Sequence, residues 1–205
     1  MKFLIAILLC LLPATVAAQH HPLPALYAVT DVASDDVLNI REAPQASAGI
    51  IGSLAPDQAG IEVVALSDDF KWGQVNIDEG AGWVSMRYLT RDPGQDWGHM
   101  PWPLNCSGTE PFWDLFTDGE NELVLQHMDE DTSRFHITMT TSVIGRSDRF
   151  WIRGEDGHGE ALLTIRREEC HDGMSDRAYG LDLDVLIDHE DGPYALSGCC
   201  TITPR

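Results

Sequence analysis

Residues 196–205 read LSGCCTITPR, and the adjacent Cys199 and Cys200 constrain the fold more than any other feature of the chain. Successive side chains of a strand point to opposite faces, so two neighbouring sulfurs in a strand diverge. In an expected strand at residues 194–203, alternation puts Tyr194, Leu196, Gly198, Cys200 and Ile202 on one, apolar face, and Ala195, Ser197, Cys199 and Thr201 on the other. The preceding strand begins near Gly180, with a turn at residues 189–193, so antiparallel pairing places both cysteines at the sheet end where the Cys170 segment emerges. If the sheet closes into a barrel, Cys106, just before its first strand, reaches that end too. Cys199 and Cys200 should then each bond a different distant partner, Cys106 or Cys170, with both pairings open. Either choice closes loops of roughly 30 and 90 residues, a constraint of on the order of 3 to 5 kcal/mol each.

Whether those cysteines oxidise depends on where the chain goes. Lys2 precedes an apolar run at residues 3–12, Pro13 follows, and Val16-Ala17-Ala18 supplies small residues for a signal peptidase. Residues 1–18 therefore read as a signal peptide, and the protein is expected to be periplasmic or secreted. The run falls short of the roughly 20 apolar residues that span a bilayer, and no second stretch reaches that length, so no integral membrane segment is expected after signal removal. Cys10 follows Leu9, where a lipoprotein signal has a small residue. Four cysteines remain, an even number in an oxidising compartment, and none has CxxC or Cys/His metal spacing. Disulfides are expected and a cofactor is not. A candidate metal position is His21, third from a terminus at Gln19, where an amine, two amides and an imidazole suit square-planar copper(II) or nickel(II); His158, His171 or His189 with nearby acids are the others.

Charge narrows the partners. The chain has 33 acidic against 13 basic residues, a formal charge of −20. Nucleic acid and anionic lipid require a basic surface and are not expected as partners. Residues 25–91 hold 10 acids and 4 bases, whereas residues 92–205 hold 23 and 8. No run has calcium-loop spacing, so the surplus reads as a solvated face.

Periodicity predicts an all-β chain. Short segments rich in β-branched and aromatic residues occur at 37–41, 61–66, 73–77 and 82–89, separated by Gly, Pro, Asp and Ser. A second series follows at 112–116, 122–127, 134–143, 149–153, 161–166, 180–187 and 194–203. No amphipathic helix is evident. Between them, residues 92–104 hold three prolines with Trp97 and Trp102, the composition of a semi-rigid linker packed against a neighbour.

The first unit, bounded at residues 22–91, carries Leu38-Asn39-Ile40-Arg41 with Pro44, Gly52 and Leu54, Trp72 with Val75, and Gly82-Trp83-Val84 with Tyr88-Leu89. In this pattern it resembles the bacterial SH3-like domain family over residues 25–91. The resemblance implies a small, partly closed β-barrel that serves as a binding module, often for cell-wall peptides or other envelope components. Trp72, Trp83 and Tyr88 are the candidate aromatic shelf, with core packing as the competing role. Arg41 is expected as the structural partner of an acidic loop and not as a ligand contact.

Residues 105–205 form the second unit, an acidic β-barrel or sandwich with two disulfides. CSGTEPFW, CHDGMSDRAYGLDLDV and SGCC resemble a family of exported bacterial domains without an established activity, so no catalytic role follows from the likeness. On their own chemistry, Ser175 with His171 and Asp172 or Asp176 has the residue types of a nucleophile, base and orienter. The same residues make good turns, with Arg177 available to pair with a carboxylate. Glu110 beside Phe112 and Trp113 is the best candidate for a carboxyl in an apolar setting, with a plain strand-edge hydrogen bond as the favoured competing role. His158, His171 and His189 each lie in Gly/Asp-rich segments that read as solvated loops.

Together these features predict an exported envelope-binding protein whose SH3-like module recognises a cell-wall peptide or an envelope protein. Two alternatives remain: an inhibitor of a cell-wall lytic enzyme, docking by charge complementarity, and a hydrolase using residues 170–177.

Overall fold

The computed structural model describes residues 22–96, 98–119, 121–128, 132–190 and 192–203. Residues 1–18, expected as a signal peptide, together with His21 and Trp97 lie outside them. The described residues form sixteen strands and a single 3-10 turn, with no α-helix.

The first unit comprises β1 (Ala25–Val29), β2 (Leu38–Arg41), β3 (Ile50–Leu54), β4 (Ile61–Val63), β5 (Ala65–Leu66), β6 (Trp72–Ile77), β7 (Gly80–Ser85) and β8 (Leu89–Arg91). Sheet order is β4-β1-β8 in one layer and β3-β2-β7-β6-β5 in the other. The expected strand at residues 61–66 becomes β4 and β5, which carry the chain from one sheet to the other. Leu38, Ile40, Val63, Val75 and Val84 fill the shared core. The expected strand at residues 82–89 is divided: β7 ends at Ser85, and Met86–Tyr88 turn as a 3-10 helix into β8. Two strands unseen in the sequence are β1 and β3. The Gly-Ser interruption and the exposed, edge position of β3 erase its alternation.

The second unit is a closed antiparallel barrel of eight strands. It runs through β9 (Asn105–Thr109), β10 (Phe112–Asp118), β11 (Glu122–His127), β12 (Ser133–Ser142), β13 (Arg149–Glu155), β14 (Gly159–Arg166), β15 (Leu181–His189) and β16 (Tyr194–Thr201). Barrels of this strand number enclose just enough space for side chains. Leu115, Leu123, Phe135, Phe150, Ile152, Leu163, Leu183 and Ile187 occupy it, each no more than 1 % exposed. Strand β9, NCSGT, escapes a hydrophobic reading because its inward positions are Cys106, bonded to Cys200, and Gly108, kept small by Trp113. A Cβ on Gly108 would lie 2.2 Å from the Trp113 indole nitrogen, and one on Gly198 would lie 2.1 Å from the Ser107 carbonyl oxygen.

The barrel closes through its shortest ladder, in which β16 meets β9 at Cys199↔Ser107, Cys200↔Cys106 and Thr201↔Asn105. Both disulfides sit on this seam. Cys106 bonds Cys200 inside the barrel, and Cys170 bonds Cys199 outside it, with sequence separations of 94 and 29. The diverging sulfurs expected from alternation are present, and sidedness fixes the pairing: Cys106 and Cys200 both face the core, while Cys199 clusters with Cys170 and Tyr179.

Residues 92–104 are fastened at several points. The Gln95 side chain accepts from Leu26 N and donates to Leu26 O, at 2.6 and 2.9 Å. Met100 and Trp102 pack against the barrel core, and Leu104 belongs to it. Pro93, Pro101 and Trp102 thus meet Leu26 of the first unit and Arg167 and Ile202 of the second around one small cavity.

Non-reducing peptide mapping should recover Cys106–Cys200 and Cys170–Cys199 and no free thiol. Loss of the first bond in a Cys106→Ala/Cys200→Ala variant should cost roughly 2 to 5 kcal/mol in denaturant unfolding, because it crosses the seam and closes the longer loop. Gly198→Ala should cost about 1 to 3 kcal/mol, since the obstructing atom is backbone and cannot swing aside.

Candidate functional site

Alternation along β2, β6 and β7 turns Asn39, Arg41, Trp72 and Ser85 away from the first unit's core. Trp72 and Ser85 are directly opposed across the β6–β7 ladder. The 3-10 turn brings Tyr88 and Arg87 alongside, and Val32, Asp36 and Val37 from the β1–β2 loop form the facing wall. The result is a groove of about 390 Å³. Of the three aromatic candidates, Trp72 and Tyr88 line it. Trp83 does not; it is half-buried further along the sheet, opposite Arg41 and Gln74. Arg41 holds a loop through a backbone carbonyl and not through an acid, its Nη1 donating to Ala48 O at 2.8 Å, and it also lines the groove. Arg87 lies over the Tyr88 ring, 5.5 Å from its centroid. The sequence reading missed Arg87; its signal was scarcity, as one of four bases in residues 25–91.

Residues 170–177 are built as a strut. Asp172 Oδ1 accepts from the Met174 and Ser175 amides, and its Oδ2 accepts from Ser175 Oγ at 2.7 Å and the Tyr179 hydroxyl at 3.1 Å. Partial burial pushes this carboxyl up, but these four donors outweigh it and hold the group at about 2. His171 turns outward to Glu169, 3.3 Å away, so Ser175 meets a carboxylate and not an imidazole. Asp176 N donates to Glu79 O in the first unit. Arg177 stacks over Tyr179 and reaches the Asp78 carbonyl, in place of the side-chain carboxylate expected for it. Next to this strut, both ends of the Asn76 amide bond the Ala178 backbone at 2.9 Å.

At the far end of the barrel, Trp113 is buried beneath Gly108 and Gly198. Glu110 is exposed in the β9–β10 turn, so the apolar setting that made it a candidate acid is not formed. Phe112, Asp114, Gln126 and Met128 border a shallow groove of about 440 Å³ there. His158 and His189 approach each other at 5.8 Å between ring centroids, and each faces a carboxylate. Among the described residues no three His, Cys, Asp or Glu side chains converge as a metal site.

The contact between the units holds a further residue that the sequence reading passed over. Glu62 on β4 points away from its own core and is 7 % exposed, its Oε1 accepting from the Ile202 amide at 3.1 Å. An acid inside the apolar run IEVVAL was the available signal. Burial pushes this carboxyl up to about 7, against the Ile202 hydrogen bond and the Arg177 charge, which pull it down. At the same contact Arg167 donates to the Pro24 carbonyl at 2.9 Å, and burial together with the Arg91 charge lowers it to about 10.

Because the folded value of Glu62 lies above the unfolded one, the folded chain keeps a proton that the unfolded chain releases. That stabilisation is complete below about pH 4.5 and is lost as pH rises through about 7, a change of about 3 kcal/mol. Urea unfolding at pH 5 and pH 8 should show this loss in the wild type and not in Glu62→Gln, which keeps the acceptor. Parallel pH profiles for the two proteins would contradict the assignment. No family model, curated protein or solved structure matches the chain.

Proposed function

We propose that this is an exported binding protein of the cell envelope, whose first unit, an SH3-like module by its sequence pattern, holds a cell-wall peptide in the groove between Trp72 and Tyr88. The observation that carries this reading is the meeting of those two aromatics, 16 positions apart, on a polar floor of Asn39 and Ser85. Aromatic faces give a peptide area to cover, and amide and hydroxyl groups satisfy its backbone. Two disulfides are compatible with an oxidising compartment, and no helix among the described residues is long and apolar enough to cross a membrane. Export itself rests on the sequence of residues 1–18.

The acidic barrel supports the binder by bracing it. The strut at residues 170–180, tied to β16 by Cys170–Cys199, touches the β6–β7 turn that ends the groove-forming hairpin. The hydrolase reading has little to support it, since Ser175 Oγ is committed to Asp172. Inhibition of a basic lytic enzyme draws on a different feature: Phe112 and Met128, 46 % and 73 % exposed, at the rim of the acidic barrel.

Purified cell wall should co-sediment the mature protein, and Trp72→Ala and Tyr88→Ala should each weaken that binding about ten-fold or more, as loss of an aromatic anchor does. Circular dichroism of the variants should match the wild type. Retained wall binding in both would move the site elsewhere, and the exposed Phe112 rim would be the next surface to change.

A further inference from the structure

Bases are outnumbered in this chain, 13 against 33 acids, and where the cations of the first unit go is informative. Residues 25–91 have four bases. Lys71 pairs with Asp69 at 3.1 Å, and Arg91 is occupied by the Pro22 and Gln95 carbonyls at 2.8 and 2.7 Å. The other two, Arg41 and Arg87, line one groove.

Both are held ready and neither is neutralised. Arg41 spends one of its five N–H donors on the Ala48 carbonyl, which fixes the guanidinium and leaves the rest available. Arg87 is exposed and stacks on Tyr88; among the described residues it makes no hydrogen bond or ion pair. The groove's one acid, Asp36, turns Oδ1 to the Val37 amide at 2.8 Å. In a molecule with a formal charge of −20, this is a local inversion of sign on the floor where a ligand would lie.

We infer that the groove selects its peptide by a free carboxylate, bound by Arg41 and Arg87 while the peptide backbone lies across Trp72 and Tyr88. The inference rests on the groove being the peptide site. A guanidinium fork matches a carboxylate with two parallel hydrogen bonds, and stacking on an aromatic ring keeps that fork oriented before the ligand arrives. A single small anion fits this arrangement, whereas a polyanion does not. Its further charges would extend beyond the groove, within the roughly 8 Å screening length of an acidic surface. The peptide portion of the cell wall, which carries discrete carboxylates on a short backbone, has the right chemistry.

The test is calorimetric titration of the full mature protein with two synthetic wall tetrapeptides, one with its carboxylates free and one with them amidated. Amidation should weaken binding by about ten-fold or more, the usual scale for losing a charge-assisted pair. Arg87→Gln should lower the affinity for the free acid and narrow its advantage over the amide, with Arg41 keeping part of it. Raising the salt should weaken the free acid more than the amide. Equal affinity of the two peptides for the wild type overturns carboxylate selection while the groove remains the peptide site. Failure of both peptides to bind, with wall co-sedimentation unaffected by Trp72→Ala, overturns the groove assignment itself.

Discussion

The seam between β16 and β9 is the constraint on which the rest of this structure depends. A closed sheet has no free edge, but this closure has only three register pairs, where β14 and β15 share eight. Backbone pairing alone would leave the seam the easiest ladder to open. The cysteine pair meets this on both faces at once: Cys200 crosses the ladder on the inside, and Cys199 fastens the 167–180 segment over it on the outside. Gly198 belongs to the same solution, since the space a side chain would need is taken by Trp113 and the Ser107 backbone. The SGCC motif is therefore a closure device.

From that seam the order extends to the first unit. Residues 170–180 are pinned at Cys199, shaped by Asp172, and contacted by Asn76 and Glu79. Residues 92–104 provide a second attachment through Gln95 and Leu104. The groove of Trp72 and Tyr88 thus lies on a small unit whose β6–β7 hairpin is braced at its turn by the larger one. A domain of its size buries a limited core by itself, and an external brace is a physical remedy. The contact has its own cost, because Glu62 and Arg167 are both withdrawn from water there, and neither has the other as a partner. A buried acid that keeps its proton makes the contact more stable in mild acid than in mild base.

Composition and alternation alone determined a good deal. The all-β class, most strands of the second unit, the four-cysteine framework and the divergence of Cys199 from Cys200 all follow from a period of two and from glycine and proline punctuation, which are local properties. The strands that escaped did so for non-local reasons. The inward positions of β9 are Cys106, bonded across the seam to Cys200, and Gly108, whose side-chain space Trp113 of the next strand occupies, and β3 is an exposed edge with little to alternate.

The groove and the contact between units belong to the tertiary structure. Sequence named Trp72, Trp83 and Tyr88 as one shelf, but which of three aromatics share a surface depends on strand register and on the 3-10 turn at residues 86–88. Ser175, His171 and Asp172 adjoin in sequence, yet the loop directs the serine to the aspartate and the histidine to solvent. Disulfide pairing was open until closure of the barrel put Cys106 and Cys200 on the same side of one ladder. Local chemistry states which way a side chain points from its own strand; only the folding of distant strands against one another decides what it meets there.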